Sequence, residues 1–128
     1  MRILFDHNMP RKLRQYLADR HVVTLAYQVE WHEKKNGDLI ASAEAGGYEL
    51  LITADQSLAY QQNLAERKIA ILVLIPTDWN KLKPHVGEIK TAVENSVPGS
   101  YRELQFDNVR RNRELAAALQ AKKQPRKK

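Results

Sequence analysis

The chain has 128 residues, 43% of them hydrophobic and 28% charged, with no cysteine; that is enough for one packed core and too little for two comfortable domains. Disulfide frameworks and thiolate zinc sites are excluded, and the longest unbroken apolar run, residues 69–75, is far too short to span a membrane. The net charge of +6 is uneven, because residues 1–75 carry nine basic and nine acidic side chains whereas residues 76–128 carry twelve and six; a local excess of this kind suits a polyanion or simply solubilises the chain. Asp6 interrupts the opening apolar residues, so no secretory signal is recognisable, no membrane partner is expected, and the cytoplasm is the expected compartment.

In chain order, the first element is a strand over Arg2-Ile3-Leu4-Phe5, a continuous apolar run of the kind that is covered on both faces of a parallel sheet. A helix over residues 10–20 follows, with Pro10 in its first turn and Leu13, Tyr16 and Leu17 on one side. Val22-Val23-Thr24-Leu25 forms the second strand. Residues 38–45 form the second helix, started by Asn36-Gly37 and stopped by Gly46-Gly47. Leu50-Leu51-Ile52-Thr53 is the third strand, residues 57–67 a third helix, and residues 69–74 a fourth strand. This βαβαβαβ pattern predicts right-handed crossovers and helices on both faces, with the working residues just beyond the carboxyl ends of the strands.

After Pro76, Thr77 can cap a helix carrying Leu82, Val86, Ile89 and Val93 at helical spacing, which Pro98-Gly99 ends. Residues 101–106 read as a short further strand. Residues 108–121 read as a last helix, with Leu115, Ala116 and Leu119 on its apolar side and Arg110, Arg111 and Arg113 near its start. Lys122 and Lys123 open a tail of five basic residues and no acid. Residues 1–106 are therefore the expected α/β domain, and residues 107–128 a basic C-terminal helical extension.

Three aspartates fall where this topology places a site. Asp6 directly follows the first strand, Asp55 lies two residues beyond Thr53 at the end of the third, and Asp38 opens the helix leading into the third. Carboxylates brought within a few ångströms repel one another unless a hard cation neutralises them, which implies Mg²⁺ or Mn²⁺ and the hydrolysis of phosphodiesters. Taken singly, each acid is equally well explained as a helix cap or turn residue, and Asp38 most easily of the three.

The run Ile3-Leu4-Phe5-Asp6-His7-Asn8-Met9-Pro10 resembles the opening strand-acid-Asn-Pro signature of the PIN-like nucleases, specifically the short branch found beside small antitoxin-like genes in bacteria. Asp38-Leu39-Ile40 and Leu51-Ile52-Thr53-Ala54-Asp55 resemble that family's second and third motifs, in the same order. The resemblance covers residues 2–75. It implies a three-layer α/β/α sandwich with a mainly parallel sheet of four to five strands, and a metal-dependent ribonuclease, plausible as the toxin of a toxin–antitoxin module. Asp6, Asp38 and Asp55 would then be the catalytic, metal-binding acids. Thr53 would orient Asp55, and Asn8 would support the first loop or a metal-bound water. Where the family often carries a further acid and an aromatic after its third motif, this chain has Gln56-Ser57-Leu58, which favours one metal over two.

Trp31, His32, Lys34 and Lys35 precede Asp38 in a polar loop near the expected site, where an aromatic and two cations could stack a base and hold phosphate; Trp31 packing over the sheet edge is the structural alternative. The basic residues Arg110, Arg111, Arg113, Lys122 and Lys123 could hold a phosphate backbone. Three functions compete: the ribonuclease, a catalytically degenerate PIN-like protein that binds RNA or a protein, and a phosphoacceptor receiver domain. The last needs paired acids after the first strand, and here only Asp6 is present, followed by His7. A cognate antitoxin or a second copy of the chain are the expected protein partners, through the apolar stripe of the last helix.

Overall fold

The structure, a computed structural model, describes residues 1–34, 36–56, 58 and 67–106. Its centre is one sheet made from the apolar runs: β1 (Arg2–Phe5), β2 (Val22–Leu25), β3 (Leu50–Thr53), β4 (Ala70–Ile75) and β5 (Tyr101–Gln105). The strand order is β2-β1-β3-β4-β5, and every neighbouring pair is parallel. The expected fourth strand starts one residue later than the sequence pattern suggests, and the short strand after Pro98-Gly99 joins the sheet as its outer member.

Alternation along each strand divides the core into two. Ile3, Phe5, Leu50, Ile52, Ala70, Leu72 and Leu74 face a layer formed by α1 (Arg11–Leu17) and the helical segments that follow β4. Leu4, Leu51, Ile71 and Val73 face α2 (Asn36–Ala45), which supplies Leu39, Ile40 and Ala43. Both faces of the three inner strands are thus dry, the condition that continuous apolar strands require, and the result is a three-layer α/β/α arrangement. Among the described residues no helix is long and apolar enough to cross a membrane.

Local chemistry sets the helix limits. α2 starts two residues earlier than expected and ends in a Schellman turn: Tyr48 N–H donates to Ala43 O at 3.0 Å, Gly47 N–H donates to Glu44 O at 3.1 Å, and Gly47 takes φ 84°. The long helix expected after Thr77 is three pieces, α3 (Trp79–Leu82), a 3₁₀ turn (Lys83–His85) and α4 (Val86–Glu94). Pro84 has no N–H to continue the ladder, which accounts for the break. The cap is Asp78 rather than Thr77, since Asp78 Oδ1 accepts from Asn80 N–H at 3.0 Å. Leu82, Ile89 and Val93 are nevertheless buried together, as their spacing predicted.

The crossovers do not share one hand. α1 and α4 lie on the same face, yet α1 carries the chain from β1 outward to β2 while α4 carries it in the opposite direction, from β4 to β5. Two connections on one face running in opposite directions have opposite hands, so the uniform right-handed expectation does not hold for this chain. The expected helix over residues 57–67 and the C-terminal helix and tail, with Leu115, Ala116 and Leu119, lie outside the described residues.

Candidate functional site

β1 is flanked by β2 on one side and β3 on the other, so the chain leaves β1 in one direction and later returns across it. At such a reversal the connections diverge and leave a crevice beyond the carboxyl ends of the two inner strands. Asp6 and Asp55 flank this crevice, following β1 and β3 respectively.

Pairing of Phe5 with Ile52 extends by one more rung, where Asp6 N–H donates to Ile52 O at 2.9 Å. The next side chains on the α2 face are those of Asp6 and Thr53, and they meet: the Thr53 hydroxyl donates to Asp6 Oδ2 at 2.6 Å. Thr53 is fully buried and Asp6 nearly so, at 8% exposure. The Thr53 oxygen also accepts from Asp55 N–H at 3.2 Å. One hydroxyl therefore bridges the Asp6 carboxylate and the Asp55 backbone N–H.

Asp6 Oδ1 accepts from the His7 backbone N–H at 2.7 Å, and His7 Nδ1 lies 3.1 Å from the same oxygen. Asp6 O accepts from Met9 N–H at 3.1 Å, closing a turn that contains Asn8. The side-chain oxygen of Asn8 is buried with no hydrogen-bond partner. Buried polar atoms are nearly always satisfied, so an orphaned acceptor two residues after a buried carboxylate invites a donor or a cation. The oxygen donors of Asp6, Asp55 and Asn8 are of the type that a hard divalent cation takes, and in this respect the residues fit Mg²⁺ or Mn²⁺.

Asp38 is exposed in the first turn of α2, where a negative charge also suits the helix dipole. Among the described residues no three His, Cys, Asp or Glu side chains stand close enough to hold a metal ion. Asp6 and Asp55 are thus joined through Thr53, while Asp38 shares the edge without entering such a group.

Trp31 takes the structural alternative: its ring meets Tyr48 edge-on at 6.0 Å and packs against the α2-side core. His32 instead stacks on Tyr27, a residue that no motif or hydrophobic period marks in the sequence. Lys34 is half-buried in the same loop. Lys35, Arg110, Arg111, Arg113, Lys122 and Lys123 lie outside the described residues. Two further cations, Arg11 and Lys12, are exposed at the start of α1, the end that follows the Asp6 loop. Their signal in the sequence was position alone, since a helix leaving β1 must begin at the carboxyl edge.

Among the described residues, a cavity of about 360 Å³ lies at the amino ends of the strands and another of about 550 Å³ between α4 and β5. No family model, curated protein or solved structure matches the chain.

Proposed function

We propose that this chain is a metal-dependent ribonuclease of PIN-like type, acting as the toxin of a toxin–antitoxin pair. The observation that carries the proposal is the Asp6–Thr53–Asp55 linkage at the sheet's reversal point, with the unpartnered Asn8 oxygen two residues after Asp6. Asp6, Asp55 and Asn8 would hold one Mg²⁺ or Mn²⁺, while Asp38 lies on the same edge outside that group. Such a cation supplies positive charge to a scissile phosphate and acidifies a water.

The protein's own part is preorganisation. Thr53 fixes the Asp6 carboxylate through Oδ2 and the loop of Asp55 through its backbone N–H, so the Asp6 carboxylate needs no reorganisation when substrate arrives. His7, half-exposed beside Asp6 Oδ1, is placed to carry a proton to or from solvent. Arg11 and Lys12 offer charge to a phosphate backbone at the same edge.

Purified Asp6→Asn and Asp55→Asn proteins should each lose Mg²⁺-dependent RNA cleavage by about a hundredfold or more, the scale on which a preorganised electrostatic group acts. Undiminished cleavage in both sinks the proposal. The second reading, a degenerate protein that binds RNA or a partner without cleaving, is favoured by Gln56 in place of a further acid. Calorimetry with Mn²⁺ separates the two, because a degenerate site shows no binding that depends on Asp6 and Asp55.

A further inference from the structure

Three large hydrophobic side chains are exposed among the described residues: Val22, Tyr27 and Val97. Val22 opens β2 and Val97 precedes β5, so both lie at the amino end of the sheet, while Tyr27 alone stands at the carboxyl end. Tyr27 is 53% exposed, yet its ring is fixed, stacked on His32 with centroids 4.4 Å apart and planes 13° from parallel. His32 Nδ1 is buried without a partner.

The backbone beneath the pair is closed tightly. Trp31 N–H donates to Ala26 O at 2.8 Å, Glu30 N–H donates to Tyr27 O at 3.2 Å, and Glu30 takes the left-handed conformation at φ 62°. Gln28 Oε1 accepts from Leu25 N–H at 2.8 Å. Trp31 anchors the far end of the turn on Tyr48. A flat ring is therefore held open to water. Because Leu25 pairs with Phe5, the turn carrying Tyr27 begins one strand across from Asp6.

From this geometry we infer that the Tyr27–His32 stack is a platform for one unpaired nucleobase of the substrate, an inference that rests on the nuclease reading of the acid cluster. A lone rigid ring amid polar neighbours lacks the contiguous apolar area that a protein partner requires. Base stacking needs only a flat π-face and tolerates any base. Glu30 and Glu33, both exposed in this turn, repel phosphate, so the contact is with the base. The backbone is left to Arg11 and Lys12.

The test uses single-stranded RNA carrying 2-aminopurine, bound in the presence of EDTA so that cleavage is silent. Wild type and Tyr27→Trp should quench the probe; Tyr27→Ala should not, and should bind about five- to hundredfold more weakly, with an unchanged melting temperature. Equal binding and quenching by Tyr27→Ala overturns the platform, as does an absence of binding to any oligonucleotide by wild type. If Tyr27-dependent quenching persists but wild type with Mg²⁺ cleaves nothing, the nuclease reading falls and the platform stands. If Asp6-dependent cleavage is intact and Tyr27→Ala changes neither binding nor KM, the reverse holds.

Discussion

The two ends of the sheet use polar side chains in opposite ways. At the amino end, Glu44, Glu49 and Arg2 are absorbed by the backbone or a ring. Glu44 accepts from the N–H groups of Lys68 and Ile69, with Arg67 3.8 Å away. Glu49 accepts from Arg2 N–H at 2.8 Å, and the Arg2 guanidinium donates to Gly46 O at 2.8 Å while lying 4.6 Å over the Tyr48 ring. At the carboxyl end a carboxylate is buried, its neighbour Asn8 keeps an oxygen without a partner, and an aromatic ring is held in water. Charge spent on backbone donors explains itself through stability. A buried acceptor left unpaired and a ring left exposed do not, and they are where function should be sought.

Substitutions at the two ends should therefore separate activity from stability. The largest expected effect is at Thr53. Thr53→Val leaves buried Asp6 Oδ2 and the Asp55 N–H without partners, which should cost about 1–3 kcal/mol of stability and, under the proposed function, lower cleavage about tenfold or more. Thr53→Ser should restore most of both; urea unfolding and RNA cleavage assays measure them side by side. Glu44→Ala should also cost roughly 1–3 kcal/mol, by stripping two N–H groups of their acceptor, but cleavage below the unfolding midpoint should stay at the wild-type level. A drop in cleavage there would erase the contrast between the ends. The smallest effect is at Gly47, whose φ of 84° is unfavourable for a side chain and whose added Cβ would sit 2.6 Å from the Arg2 nitrogen that donates to Gly46 O. Gly47→Ala should cost about 1–2 kcal/mol with no effect on RNA binding, checked by denaturant titration and the 2-aminopurine assay.

Much of the sheet was legible because four continuous apolar runs have one physical use, a place between two helical layers. The strand-end positions of Asp6, Thr53 and Asp55 followed directly from it. Other features depended on choices that local sequence leaves open. Thr77 and Asp78 are both good caps, and Pro84 could equally have been accommodated at a first turn. Trp31 and Tyr27 share a loop with no hydrophobic period, so nothing along the chain says which ring is anchored and which is presented. The hand of the last crossover depends on α4 packing beside α1, a contact between distant segments. The Asn8 orphan is invisible without its surroundings, because an unpaired atom is defined by what is absent around it.

The Thr53–Asp6 hydrogen bond joins residues 47 positions apart, and that separation gives the site a history. At about 5–20 residues per second of synthesis, several seconds pass between the appearance of Asp6 and that of Thr53. During that interval the acid is an ordinary carboxylate on an unfinished chain, with no hydroxyl to hold it and no crevice to face. The site comes into being only once β3 is laid against β1, so whatever chemistry it performs is withheld from every nascent chain that stops short of its third strand.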